Sequence, residues 1–165
     1  MKKILNILWS ITLIGTSTTS LVACNTPQYS EEKLKEQKEN QIDTKDQAIR
    51  DNLEWIAPQE KPFNEVDNKW YYVVWRGNKN NDWRIIKFKN YTFDFKKIDN
   101  FKNADLWKSS PYRFSSEQTL HIVWTFELYW EKDNGSYFKF VYRWNSLNIQ
   151  EPDLVIDEDG NLKVK

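Results

Sequence analysis

The chain has 165 residues, with 24 basic and 24 acidic side chains, one histidine, one cysteine, nine Trp, eight Tyr and nine Phe. A neutral charge balance argues against a dedicated nucleic-acid-binding protein, because affinity for phosphate backbones comes mainly from excess Lys and Arg. One cysteine and one histidine exclude an intrachain disulfide and a cysteine- or histidine-based metal cluster, so no metal site and no cofactor are expected.

The first 24 residues have the layout of a secretory signal. Lys2 and Lys3 provide a basic start, residues 4–14 are mostly apolar, and small residues fill positions 15–20. This order of a basic, an apolar and a small-residue region is typical of a signal peptide. Residues 1–23 are therefore predicted to be a cleaved signal peptide.

Residues 21–24 read Leu-Val-Ala-Cys and resemble the lipobox of bacterial lipoproteins, in which a cysteine follows apolar and small residues. In that family the cysteine thiol receives a diacylglycerol thioether and becomes the new N-terminus. The resemblance predicts cleavage between Ala23 and Cys24, lipid attachment at Cys24, and a location on the extracytoplasmic face of the cell membrane. The alternative is an uncleaved transmembrane helix over residues 4–23, which the Ser and Thr residues at positions 16–20 disfavour.

The leader at residues 11–24, Ile-Thr-Leu-Ile-Gly-Thr-Ser-Thr-Thr-Ser-Leu-Val-Ala-Cys, resembles those of lipoproteins from wall-less mollicutes of the Spiroplasma type. The run Lys-Trp-Tyr-Tyr-Val-Val-Trp-Arg-Gly-Asn-Lys-Asn-Asn-Asp-Trp-Arg-Ile-Ile-Lys at residues 69–87 is similar to an uncharacterised domain of Spiroplasma and its plectrovirus-related elements. A total of 19 Lys against 5 Arg suits the AT-rich genomes of that group. The resemblance implies a membrane lipoprotein, and it supplies no functional residue beyond Cys24.

The segment between the leader and the aromatic region divides into a polar part and an amphipathic part. Residues 24–43 are predicted to be a lipid-anchored polar linker, because their charged side chains leave little apolar surface to bury. Residues 44–57 are predicted to form a short helix, since a capping pattern precedes Ile49, Leu53 and Ile56 at helical spacing.

Residues 63–165 are predicted to form a mainly β domain, a small antiparallel β-sandwich or a partly open barrel. Aromatic and β-branched residues alternate there in short runs that Asn, Asp and Gly interrupt. The expected hairpins join residues 70–76 to 83–89, 119–131 to 136–144 through a turn at 133–135, and 154–156 to 162–164. A further strand is expected at residues 91–96, whereas residues 98–107 give no clear signal.

The aromatic residues offer the only candidate binding surface. Both faces of the strand at residues 70–75 are apolar, so one face is expected in the core, and the other is either covered by a second layer or exposed as a platform. An exposed platform would suit a sugar ring or a protein partner, whereas the size of the domain favours large side chains that simply fill the core. The candidate surface consists of Tyr71, Trp75, Arg76, Trp83 and Arg84.

Support for enzymatic chemistry is weak, and no catalytic residue is assigned. His121 is the only histidine, and a lone histidine on a strand is usually a packing or surface residue. Carboxylate pairs are easy to assemble from Glu127, Glu131, Asp94 and Asp105, but a chain with 24 acidic residues always contains such pairs.

Three hypotheses of function remain. The preferred one is a lipid-anchored surface lipoprotein whose aromatic-rich β domain is a binding module for a protein or a glycan. The alternative is a structural or mobile-element-encoded envelope protein that needs no small ligand. The least favoured is a small extracytoplasmic hydrolase.

Cys24→Ser is expected to move the protein out of the detergent phase in phase partitioning and to leave the leader uncleaved. The reason is that the lipid is carried on a thioether, which serine cannot form. Intact-mass measurement reports both the lipid and the cleavage. Equal partitioning and equal modification of the two proteins would contradict a lipid anchor at Cys24.

Overall fold

In the computed structural model, residues 28–40, 44–110 and 116–165 are described. The predicted signal peptide, its cleavage residue Ala23 and the predicted lipid-attachment residue Cys24 lie outside these ranges. None of the helices in the described ranges is long and apolar enough to cross a bilayer. The helices are α1 (Glu31–Asn40) and α2 (Gln47–Asn52), and the strands are β1 (Leu53–Trp55), β2 (Trp70–Trp75), β3 (Arg84–Lys89), β4 (Lys96–Phe101), β5 (Ala104–Ser109), β6 (Thr119–Val123), β7 (Glu127–Tyr129), β8 (Phe138–Trp144), β9 (Leu154–Ile156) and β10 (Leu162–Val164).

The strands form two four-stranded antiparallel sheets and one hairpin. The first sheet has the order β1-β8-β2-β3 and the second the order β4-β5-β6-β7, while β9 and β10 pair with each other. No barrel closes among the described strands. The prediction of a mainly β, antiparallel fold is therefore confirmed, with the small sandwich as its form.

The core lies between the two sheets and depends on β2. Tyr71, Val73 and Trp75 alternate along this strand, and their side chains are completely buried. They pack in one cluster with Leu106 of β5 and Ile122 of β6. Alternate residues of a strand point to the same face, so this face of β2 is the one that meets the second sheet.

The opposite face of the first sheet is also covered. Tyr72 of β2 and Tyr142 and Trp144 of β8 are buried in a second cluster, which contains Trp55 from β1 and Leu154 from the β9–β10 hairpin. The two apolar faces of β2 are thus buried by different layers. A second layer, rather than an exposed platform, accounts for the aromatic residues of this strand.

The described part of the predicted linker belongs to the folded unit. Tyr29 packs its ring edge-on against Trp55 with centroids 5.8 Å apart, and Leu34 of α1 packs on the second cluster. Lys38, near the end of α1, lies 2.5 Å from carboxylate oxygens of both Glu54 and Glu60. A charged residue of this segment, Lys38, therefore binds the sandwich through ion pairs.

The predicted helix at residues 44–57 is shorter than expected. The structure places α2 at Gln47–Asn52, where the carboxylate of Asp46 accepts a 3.2 Å hydrogen bond from the amide of Ile49. At Leu53 the chain becomes β1, which pairs with β8. Leu53 and Ile56 meet the helical spacing, but strand pairing overrides the local preference of this short segment.

Two of the three predicted hairpins are confirmed, and the third is wrong. β2 pairs with β3, and β9 with β10. Residues 119–131 and 136–144, however, lie in different sheets, because β6 turns back at residues 124–126 to pair with β7. The predicted turn at residues 133–135 does exist: Gly135 has a φ of +86°, and a carboxylate oxygen of Asp133 accepts amide hydrogen bonds from Gly135, Tyr137 and Phe138. It connects the two sheets instead of closing a hairpin.

The predicted strand at residues 91–96 is wrong as well, because residues 91–95 form the connection between β3 and β4 and only Lys96 belongs to a strand. The ambiguous region after it contains two paired strands, β4 and β5. A tight turn joins them, and Lys102 in that turn has a φ of +54°.

Glu54 is the centre of the polar contact between α1 and the sandwich. Its carboxylate accepts hydrogen bonds from Lys38 at 2.5 Å, Arg143 at 2.7 Å and Asn145 at 2.9 Å. Burial by itself raises the pKa of Glu54, but the three donors outweigh it and lower the pKa to about 2 from its ordinary value of 4.5. The charged form is therefore favoured by the folded state.

Glu54→Gln is expected to lower the free energy of unfolding at neutral pH and to have little effect near pH 2. Because the pKa of Glu54 is lower in the folded state than in the unfolded state, its ionised carboxylate stabilises the fold at pH values above 4.5. This contribution to the free energy of unfolding is lost as the pH falls from about 4.5 towards 2. Urea unfolding at several pH values measures the difference. Glu36→Gln, on the exposed side of α1, is the control and should show no such convergence. A gap between wild type and Glu54→Gln that is independent of pH would contradict the assignment.

Candidate functional site

Two residues of the predicted binding surface are core residues. Tyr71 and Trp75 have no exposed surface. The hydroxyl of Tyr71 donates to Asp67 at 2.8 Å, and the indole N–H of Trp75 donates to Asp99 at 3.1 Å. The prediction of an exposed surface is wrong for these two residues, because each faces the second sheet.

Arg76 and Trp83 are half-buried and contact each other. The Arg76 guanidinium lies 4.2 Å from the centre of the Trp83 ring, and its Nε donates to the Ser136 carbonyl at 2.7 Å. The turn of the β9–β10 hairpin packs on the same ring, because a Cβ added at Gly160 would lie 2.7 Å from Cγ of Trp83. Gly160 also has a φ of +80°, which favours glycine. Arg76 and Trp83 therefore join the β2–β3 turn to the chain's last hairpin.

Arg84 completes a bridge between the sheets. Its guanidinium forms an ion pair with Asp99 at 2.9 Å and lies 4.5 Å from the centre of the Phe101 ring. Asp99 also accepts the hydrogen bond from Trp75, so it receives donors from both β2 and β3. The structure thus brings Trp75, Arg76, Trp83 and Arg84 together as a brace at one end of the sandwich, whereas Tyr71 lies towards the other end of β2, opposite Phe88.

An open cleft lies next to this brace. The β2–β3, β4–β5 and β6–β7 turns meet at the same end of the sandwich and enclose a volume of about 810 Å³, which we call the loop-end cleft. All three turns contribute side chains to it. Its polar side chains are Asn78, Asn81, Asn100, Lys102, Asn103, Asp105 and Thr125.

The polar side of the loop-end cleft contains fixed and exposed amides. Asn81 accepts a 2.9 Å hydrogen bond from Lys102, and Asn100 donates to Asp105. Asp105 also lies 2.6 Å from Lys97, and these two donors lower the pKa of its carboxyl group. Because Asp105 is paired with Lys97, the distinctive groups of this side are the amides and the Lys102 ammonium group.

The apolar side of the loop-end cleft is formed by the β6–β7 turn. The rings of Trp124 and Phe126 pack edge-on with centroids 4.0 Å apart, and Trp124 also lies 5.2 Å from Tyr137. The amide of Trp124 donates to the carbonyl of Phe126 at 3.0 Å, which closes the turn. Half of the Phe126 surface remains exposed, so a ring is available beside the amides.

His121 offers no accessible catalytic pair. Its Nδ1 lies 3.0 Å from Oγ of Ser109, but both side chains are almost fully buried. Burial lowers the pKa of His121, against an opposing influence of Glu127 and Glu131. Across the described residues, no three His, Cys, Asp or Glu side chains gather in a way that would hold a metal ion.

No protein-family model, curated protein or solved structure matches this chain. The character of the loop-end cleft therefore rests on its own side chains. The sequence predicts the turn at residues 77–82, but not that the β4–β5 and β6–β7 turns meet it in one cleft. The signal that could have indicated the cleft is the concentration of Asn at the turns, with Asn78, Asn80 and Asn81 in the β2–β3 turn.

Gly77 controls how closely the β2–β3 turn approaches the second sheet. A Cβ added at this position would lie 2.7 Å from the Cβ of Ala104 and 3.4 Å from the carbonyl oxygen of Phe101. Both Gly77 and Ala104 are buried in the described structure. The wall of the loop-end cleft at this point therefore requires two small residues in contact.

Gly77→Ala is expected to destabilise the protein by about 1–3 kcal/mol, because the added methyl group overlaps a packed strand. In an Ala104→Gly background the same substitution should cost much less, since the overlapping carbon is gone. Urea unfolding of the four proteins in this double-mutant cycle measures the coupling. Equal costs of Gly77→Ala in both backgrounds would contradict the contact.

Proposed function

We propose that the chain is a lipid-anchored surface protein on the extracytoplasmic face of the membrane, and that its β-sandwich binds a carbohydrate in the loop-end cleft. The leader and Cys24 support the lipid anchor. The chemistry of the cleft supports the ligand class.

The observation that carries the carbohydrate proposal is the combination of several amide side chains with an exposed aromatic ring. A sugar hydroxyl group both donates and accepts hydrogen bonds, and an Asn side chain offers both functions. The C–H face of a sugar ring packs on a flat aromatic surface such as the exposed ring of Phe126. Asn78 and Asn103 are exposed at the rim, where they can contact a second sugar unit.

Size and charge are consistent with this ligand class. A volume of about 810 Å³ falls in the range of small-molecule sites and is adequate for a short oligosaccharide. The Asp105 carboxylate is paired with Lys97, whereas the Lys102 ammonium group lines the cleft and is hydrogen-bonded to the neutral side chain of Asn81. One lysine beside four Asn side chains favours a hydroxyl-rich ligand without a strong net charge.

A protein ligand is less well supported by this surface. Protein interfaces are enriched in Tyr, Trp, Met and Arg at their centres, whereas the loop-end cleft is enriched in Asn. The Arg residues beside it, Arg76 and Arg84, are already engaged with Trp83 and Asp99.

Screening of the full-length, detergent-solubilised protein on an array of neutral and acidic glycans is expected to reveal binding to neutral oligosaccharides. Phe126→Ala should lower the affinity for the selected glycan by roughly two- to tenfold, the contribution expected of one aromatic contact. Asn103→Ala should also weaken binding, because it removes an exposed amide at the rim.

Phe93→Ala is the matched control, because Phe93 is similarly exposed but belongs to the β3–β4 connection. Isothermal titration with the selected glycan measures all four proteins. The proposal fails if no glycan binds, or if Phe126→Ala binds as tightly as Phe93→Ala.

A further inference from the structure

The connection between β3 and β4 exposes three aromatic rings. We call residues 90–95 the aromatic loop; in it Tyr91, Phe93 and Phe95 are 55%, 41% and 64% exposed. Large apolar side chains grouped on a surface commonly mark a contact with a membrane or another protein. The loop is distinct from the loop-end cleft, and the carbohydrate proposal makes no use of it.

Buried donors hold the backbone of the aromatic loop from below. Lys108 of β5 is 1% exposed, and its ammonium group donates to the carbonyl of Thr92 and, at 3.0 Å, to the side chain of Asn90. Gln118 donates to the carbonyl of Phe93 at 2.7 Å. Burial of a lysine among neutral acceptors is costly, so these hydrogen bonds mark a loop shape that the fold maintains.

The base of the loop is fixed on its other side as well. The side-chain amide of Asn90 donates to the carbonyl of Glu65 at 2.8 Å and to the carboxylate of Asp67 at 3.1 Å. Within the loop, the Thr92 hydroxyl donates to Asp94 at 2.5 Å. A backbone held at Asn90, Thr92 and Phe93 keeps the rings of Tyr91 and Phe93 at the surface, while the exposed ring of Phe95 rests on Trp107 of β5 with centroids 4.8 Å apart.

Basic side chains lie beside the exposed rings. The ammonium group of Lys96 is 4.5 Å from the centre of the Tyr91 ring, and Lys89 at the end of β3 is exposed. Asp94 within the loop and Asp67 at its base are acidic, and Lys97 is paired with Asp105. Exposed aromatic residues flanked by lysines suit the interfacial region of a bilayer that contains anionic lipids.

We infer that the aromatic loop inserts its rings into the interfacial region of the membrane, with the adjacent lysines at the anionic headgroups. Rings that project from a fixed backbone lose little conformational entropy on insertion, which favours binding. The loop's carbonyls at Thr92 and Phe93 already have donors, so these two groups need no new partner on entry into a less polar region.

The position of the N-terminal segment agrees with this orientation, in a step that rests on the proposed lipid anchor. A cleft at the edge of the sandwich, separate from the loop-end cleft, is lined by both Gln28 and Gln118. Gln118 is the residue whose side chain donates to the carbonyl of Phe93. Cys24 is four residues before Gln28, a reach of at most about 14 Å for an extended chain. A lipid on Cys24 would therefore keep the bilayer close to the aromatic loop.

The same orientation leaves the loop-end cleft free. β3 runs from Arg84, beside the cleft, to Lys89, beside the aromatic loop, so the two features lie at opposite ends of the sandwich. Six residues of strand separate them by roughly 17–20 Å. Docking through the loop would direct the cleft away from the membrane.

The test places a fluorophore on the loop in the full-length, membrane-reconstituted protein. Phe93→Cys is labelled with a thiol-reactive fluorophore in vesicles of phosphatidylcholine and phosphatidylglycerol that carry a doxyl-labelled lipid as quencher. Asn80→Cys, exposed in the turn at the other end, is the matched control. Quenching at position 93 is expected to be severalfold greater than at position 80, and to decrease when phosphatidylglycerol is omitted.

The label also separates the loop from the lipid anchor. If the thiol of Cys24 carries the lipid as a thioether, it cannot react with the thiol-reactive fluorophore. Intact-mass measurement should therefore show one fluorophore per chain. Two fluorophores would disprove the anchor, and the same comparison in a Cys24→Ser background would then test the loop alone. Equal quenching at positions 93 and 80 overturns the inference, as does quenching at position 93 that persists after Tyr91→Ser and Phe95→Ser are combined.

Discussion

The fold depends on the burial of both faces of β2. Tyr71, Val73 and Trp75 on one face and Tyr72 and Val74 on the other have almost no contact with water. Full burial of such a side chain contributes about 1.5–3 kcal/mol to the free energy of unfolding. All of these residues can contribute only if both faces of the strand are covered. The second sheet covers one face, and the N-terminal helices and the β9–β10 hairpin cover the other. The described part of the segment that the sequence presents as a linker is therefore part of the packing.

This double burial also determines what the polar residues at the ends of the sandwich do. Inside a two-layer fold, a buried donor or acceptor must find a partner, because an unpaired one costs roughly 1–3 kcal/mol. Asp99 meets this need at one end by accepting from Trp75 and Arg84. Lys108 meets it at the other end by donating to the backbone of the aromatic loop. In both cases a buried polar group fixes the position of a surface loop.

The two ends consequently have different surfaces. At one end, three turns bring together amides and an exposed ring around an open volume. At the other, a braced loop presents three rings and neighbouring lysines. One end has the composition expected for recognition of a polar ligand, and the other has that of a membrane interface. A sandwich whose strands run between them keeps the two proposed functions apart.

Local signals in the sequence, namely period-two alternation and turn residues, were sufficient to predict the fold class and the hairpins at residues 70–89 and 154–164. The leader and lipid attachment at Cys24 are predictions from the sequence that lie outside the described residues. Only the tertiary structure decided that β6 pairs with β7 instead of β8, since alternation continues through residues 119–131 and does not show where the chain turns. Burial of Tyr71 and Trp75, and exposure of Tyr91 and Phe93, were likewise beyond the sequence. Alternation shows which residues share a face, whereas the layer that covers that face comes from distant parts of the chain.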